Sequence, residues 1–163
     1  MDFVAARENM IECQLRTNKI TDRRILVAMG SIPRERFVPS GKEEFAYADV
    51  DIPCAAGRCL MAPMAVARLI QEAEIKAEDA VLCVGAGTGY AVSVLAQLAD
   101  SVIALESDPA CCKTAGGLFS ELSFDNSYKS ISEFCPENTI ISNGLSKWCG
   151  AGGWRLGFLA VPK

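Results

Sequence analysis

With 163 residues, half of them hydrophobic, the chain has material for one domain with a real core. A net charge of −4 without a clustered basic stripe argues against general nucleic-acid binding. No apolar run approaches the roughly 18–20 residues of a membrane span, so no membrane partner is expected.

The eight cysteines, Cys13, Cys54, Cys59, Cys83, Cys111, Cys112, Cys135 and Cys149, are scattered, and the chain has no histidine. No C-x-x-C pair occurs, which disfavours structural zinc, and no metal site is expected. The amphipathic start, Met1 to Glu8, carries acids and lacks the basic-then-apolar order of a secretory leader. Reduced thiols and a cytoplasmic location are therefore expected. Without histidine, Ser-His and Cys-His pairs are ruled out and the commonest general base is missing.

In chain order, Phe3 to about Asn18 reads as a helix with Met10, Ile11 and Leu15 among its apolar positions. A second helix should run from a cap at Thr21 or Asp22 to Met29, broken by Ile32-Pro33. Ala46-Tyr47-Ala48-Asp49 opens a loop-rich stretch that lasts through Gly57. Pro63 should start a helix to about Glu74, with Met64, Ala67, Leu69 and Ile70 as candidates for its buried face.

The organising stretch is Val81 to Tyr90. Apolar Val81-Leu82-Cys83-Val84 runs into Gly85-Ala86-Gly87-Thr88-Gly89, and a helical pattern follows from Tyr90 to about Ala99. This is a strand, a tight turn and a helix N-terminus. Glycine permits positive φ and close approach of a ligand, and first-turn amides leave free N–H donors. The spacing is G-x-G-x-G, which differs from the dinucleotide fingerprint. Ser101 to Leu105 then reads as a second strand ending in Glu106, a carboxylate placed to accept both hydroxyls of a ribose. Together these residues look like an S-adenosylmethionine-binding α/β fold, with Gly85, Ala86, Gly87, Gly89 and Glu106 as candidate cofactor contacts. A side chain at Gly87 should intrude on the cofactor. The plainer alternative is a glycine-rich βα turn with no ligand.

The runs Gln14-Leu15-Arg16, Ile20-Thr21-Asp22, Ala28-Met29, Ile32 through Pro39 and Ala46-Tyr47-Ala48-Asp49 resemble the N-terminal part of protein-L-isoaspartate O-methyltransferases. The resemblance covers about Phe3 to Lys113. It implies S-adenosylmethionine as cofactor and methylation of isoaspartyl carboxylates in damaged proteins or peptides. The chain departs from that family at Gly57-Arg58-Cys59-Leu60-Met61-Ala62-Pro63, where a Gly-Gln-Thr-Ile-Ser-x-Pro-like segment is usual. Met61 stands in place of the serine and cannot donate a hydrogen bond, which leaves the catalytic residue unassigned. The alternative is that Leu60 and Met61 simply pack. Cys83 replaces the acid common in the first strand.

The acidic turn and substrate loops of such an enzyme are not recognisable after Glu106. The segment from about Phe119 instead resembles fold-type I aminotransferases, through Ser146, Lys147 and Arg155. In that family the lysine forms a Schiff base with pyridoxal phosphate and the arginine holds its phosphate. The family's Asp and Tyr would align at Gly116 and Phe119. An ordinary solvated lysine in a glycine-rich loop is the alternative. The expected architecture is thus α/β: N-terminal helices and an incomplete Rossmann-like methyltransferase sheet (1–113), a junction (114–118) and an aminotransferase-like fragment (119–163). Thr139-Ile140-Ile141-Ser142 reads as a further strand. A sheet stopped early leaves apolar surface uncovered, so self-association is expected.

Overall fold

A computed structural model describes residues 1–55, 57–122, 141–144 and 157–160. Helix α1 (Phe3–Asn9) begins at Asp2, whose carboxylate accepts the amides of Val4 and Ala5. It widens into a π-helical stretch, Met10–Leu15, and tightens into a 3-10 turn, Arg16–Asn18. Lys19 ends it at φ 63°: the Lys19 amide donates to the Arg16 carbonyl and the Ile20 amide to the Leu15 carbonyl. That is a Schellman closure. Leu15 and Ile20, five residues apart around the cap, are both buried in the core.

Helix α2 (Arg23–Ser31) is capped by Asp22 through the Arg24 amide and stops at extended Ile32, as the residue before a proline should. It buries Ile25, Leu26, Ala28 and Met29. Two 3-10 turns, Arg34–Phe37 and Glu43–Phe45, follow.

The stretch expected to be loop-rich holds a small antiparallel hairpin, β1 (Ile52–Ala55) with β2 (Arg58–Leu60). Its register shifts between Pro53 and Ala55, and Gly57 supplies φ 70° at the turn. Pro53 in a two-stranded edge obscures the strand pattern in the sequence.

Helix α3 (Pro63–Glu72) buries Pro63, Val66, Ala67 and Ile70, an i, i+3, i+4, i+7 stripe. Leu69, expected to be buried, lies off that stripe and is 58% exposed. Met64 is half-buried.

Strand β3 (Ala80–Val84), helix α4 (Tyr90–Leu95) and strand β4 (Ser101–Leu105) form the expected βαβ unit. The strands pair parallel in the register Ala80↔Ser101 to Val84↔Leu105. Helix α4 is shorter than expected: beyond Leu95 the amides of Gln97 and Leu98 bond three residues back. One face of the pair, through Val81, Cys83 and Val102, packs on the core, while Leu82, Val84 and Ile103 are exposed on the other.

Helix α5 (Pro109–Leu122) runs unbroken across residues 114–118, where the sequence reading places a junction. Cys111, Ala115 and Leu118 are buried, and Phe119 packs against the same core as α1–α4. Strands β5 (Ile141–Gly144) and β6 (Gly157–Ala160) pair antiparallel as a separate sheet. A strand thus falls at Ile141–Ser142; Thr139 and Ile140 lie outside the described residues. No helix among the described residues is long and apolar enough to cross a membrane.

Candidate cofactor site

The site lies where the carboxyl ends of β3 and β4 meet the start of α4. All three turn glycines have positive φ: 76° at Gly85, 58° at Gly87 and 96° at Gly89. The amides of Gly85 and Ala86 both donate to the Leu105 carbonyl, at 2.8 and 3.1 Å, so the sheet ladder continues into the turn. This fixes the turn against the end of β4, where Glu106 follows. Nothing lies within 4 Å of a Cβ built on Gly87. A Cβ there would therefore meet open space, not protein. At Gly89 the reason is different: a Cβ would stand 2.6 Å from the Phe119 ring and 3.1 Å from Ala115. The turn residue Thr88 is buried, and its Oγ1 has no hydrogen-bond partner.

The Glu106 carboxylate is nearly inaccessible, with its side chain 4% exposed. Oε2 accepts the Gly87 amide at 2.7 Å, and Oε1 accepts the amides of Ser107 at 2.7 Å and Asp108 at 2.9 Å. Arg58, the first residue of β2, completes the shell: Nη1 donates to Oε2 at 3.3 Å and Nη2 pairs with Oε1 at 3.2 Å. The same Nη2 reaches Ser107 Oγ at 2.7 Å. Burial, with the Glu106 charge nearby, pushes the Cys83 thiol up.

A second group of residues shapes the approach from the hairpin side. Asp51 accepts the Ala62 amide at 2.8 Å and Asp49 accepts the Met64 amide at 3.3 Å, so two aspartates cap the start of α3. Between these two amides and β2 sits Met61. Leu60 packs in the core, but Met61 is 38% exposed, which corrects the reading of both as packing residues. Arg34 is fully buried; it donates to the carbonyls of Ala46 and Met61 and lies 4.6 Å from the Tyr90 ring centroid. Burial pushes Tyr90 up to about 12, against the pull of the Arg34 guanidinium. Tyr47 joins Arg7 and Glu35: its hydroxyl donates to Glu35 and accepts from Arg7 Nε at 2.9 Å. Burial and then the Glu35 contact push it up to about 12 as well.

Gly85, Ala86, Gly87, Gly89 and Glu106 are thus brought to one place. The sequence reading missed Arg58, whose partner lies 48 positions away, and the cap formed by Asp49 and Asp51. A cationic residue directly after Gly57 was the only local signal for Arg58. Ser146, Lys147 and Arg155 lie outside the described residues.

A family model described as protein-L-isoaspartate(D-aspartate) O-methyltransferase matches residues 5–127. The chain belongs to the protein-L-isoaspartate O-methyltransferase family. The match runs through residues 114–118 and beyond Phe119. Among relatives of that name, one from Anaeromyxobacter sp. is 40% identical over 120 residues, covering 74% of this chain and 49% of its own length. One from Roseiflexus sp. is 32% identical over 158 residues, covering 93% of this chain and 72% of its own length. The chain therefore spans between about half and three quarters of these two relatives. A solved structure of a protein-L-isoaspartate O-methyltransferase has the same fold, with a TM-score of 0.63 at 23% identity over 74% of this chain and 40% of its own. A Plasmodium falciparum chain described as a candidate member, in complex with S-adenosyl-L-homocysteine, matches with a TM-score of 0.59 at 18% identity, over 76% of this chain and 57% of its own. The protein-L-isoaspartate O-methyltransferase family uses S-adenosylmethionine, and none of these relatives is an aminotransferase.

Proposed function

We propose that this chain carries the cofactor-binding half of a methyltransferase that acts on isoaspartyl carboxylates in damaged proteins. In this reading residues 1–113 supply the N-terminal part of the domain, and Gly85, Ala86, Gly87, Gly89 and Glu106 hold S-adenosylmethionine. The observation that carries it is the pairing of an open positive-φ turn with a carboxylate at the end of the neighbouring strand. The residues present fit the group. There is free space over Gly87, the buried Thr88 hydroxyl lacks a partner, and Glu106 is an acceptor of the kind ribose hydroxyls need.

When bound, the cofactor supplies an electrophilic methyl on a sulfonium centre. The protein's part is to position and to exclude water, which suffices for much of the acceleration of an in-line displacement. The open face of the glycine turn and Glu106 orient the cofactor. The hairpin and the capped start of α3 bound the side from which an acceptor carboxylate approaches. Met61 offers no donor there, which lowers the turnover expected of this chain.

Transfer of an isotope-labelled methyl group to an isoaspartyl peptide tests the activity. The cofactor assignment is tested by calorimetry with S-adenosylhomocysteine. Glu106→Ala removes a charged acceptor, and hydrogen bonds to charged groups contribute on the order of 1.5–3 kcal/mol. Affinity should fall roughly tenfold to a hundredfold. A folded Glu106→Ala protein with unchanged affinity would remove Glu106 from the site.

Leu82, Val84 and Ile103 are 56%, 74% and 56% exposed on one face of the parallel pair. An apolar strip of this kind favours association with a second copy. Sedimentation velocity is expected to show species heavier than the monomer, reduced in a Leu82→Ser/Ile103→Ser variant. A single monomeric boundary in the parent protein would contradict this.

A further inference from the structure

The Glu106 carboxylate has two oxygens and about four lone-pair directions. Three backbone amides and two guanidinium nitrogens already occupy them. No acceptor capacity is left for a pair of ribose hydroxyls. The amides of Gly87, Ser107 and Asp108 are held by the turn and by the chain that follows Glu106, at 2.7–2.9 Å. Arg58 makes the longer contacts, 3.2 and 3.3 Å, from a flexible side chain that is 29% exposed. It is therefore the group that can leave, and its departure opens the one direction, on Oε2, that the three amides do not fill, enough for a single ribose hydroxyl. Its Nη1 also stands 3.7 Å from the place of a Cβ on Gly85, so the guanidinium lies against the glycine turn itself.

We propose that Arg58 is an internal competitor for the cofactor's ribose. It closes the site by occupying Glu106, and it must swing away before an adenosyl group can bind. This rests on the assignment of Glu106 above. The protein then exists as a closed form, with Arg58 on Glu106, and an open form that binds. Apparent affinity is the intrinsic affinity scaled by the open fraction. Arg58 thus sets how much cofactor is needed to fill the site, without contacting the reacting atoms.

The test is Arg58→Met, which keeps the apolar stem and deletes every donor. Glu106 retains its three amides, so the carboxylate stays hydrogen-bonded. Calorimetry with two probes, S-adenosylhomocysteine and adenosine, should show both binding tighter by about two- to fivefold, the range expected when a partly exposed ion pair no longer competes. Unchanged affinity for both probes would overturn the proposal. So would weaker binding of S-adenosylhomocysteine alone, which would make Arg58 a contact for the amino-acid end of the ligand. Arg58→Gln is the second variant should the apolar chain disturb the hairpin, and it should shift both probes in the same direction. Glu106→Ala in the same series separates the two ideas. If it leaves both affinities intact, the site assignment fails. If it abolishes binding while Arg58→Met changes nothing, only the competition fails.

Discussion

Gly89→Ala is expected to be the most destabilising glycine-to-alanine change among the described residues, costing about 2–6 kcal/mol. Two independent penalties add. The residue sits at φ 96°, outside the conformations that side chains adopt readily, a strain of about 1–3 kcal/mol. The new Cβ would also stand 2.6 Å from Phe119 and 3.1 Å from Ala115, and overpacking of a tight contact costs about 1–3 kcal/mol more. Phe119 belongs to α5 and Gly89 caps the start of α4, so relief requires the Phe119 ring to turn aside or the two helices to shift apart. Urea denaturation measures the loss. Gly87→Ala is the control: at φ 58° it needs only the ordinary left-handed conformation, and nothing lies within 4 Å of its Cβ. It should cost about 1–2 kcal/mol. Equal losses at the two positions would show that the Phe119 contact is not what demands glycine at 89.

The second large effect is at Arg34. Its side chain is fully buried, and desolvation lowers its pKa, with Tyr90 acting in the other direction. Arginine stays protonated even so. The cation is held by the Ala46 and Met61 carbonyls and by the face of Tyr90. Arg34→Met keeps most of the volume but leaves both carbonyls without this donor. With hydrogen bonds from a charged group at about 1.5–3 kcal/mol each, a loss of about 3–6 kcal/mol is expected. The change should also loosen Met61, because Arg34 ties the segment between β2 and α3 to the start of α4. Denaturation gives the first quantity, and limited proteolysis between residues 58 and 63 gives the second. A variant as stable and as resistant as the parent would show that these contacts carry little free energy.

Local chemistry explains what could be read in advance. Asp22 as a cap, Pro63 as a helix start and Ile32-Pro33 as a stop are each set by neighbours within a few positions. The run from Val81 to Glu106 was legible because apolar strand, glycine turn and terminal acid have fixed order and spacing in a βαβ unit. Leu69 was misread for want of angular precision: it is one residue from Ile70 but about 100° away around the helix. The hairpin of β1 and β2 was hidden because one strand carries Pro53 and the register shifts beside it. Arg58 was hidden for another reason. Its role depends on β2 being carried to the end of β4, and nothing near Gly57 encodes that encounter.

The wide turns of Met10–Leu15 make chain length a constraint in its own right. A π-helical stretch holds more residues per turn than the α-helix before it or the 3-10 turn after it. Loss of one residue there would let the helix regularise locally, yet it would rotate everything before it by about 100°. Arg7, which lies one turn upstream, would swing away from Tyr47 and Glu35. Gln14, which reaches the Tyr47 carbonyl from within the stretch, would be displaced as well. Substitutions can keep this segment's polarity and burial. A single deletion cannot, so this segment should tolerate changes of letter far better than changes of count.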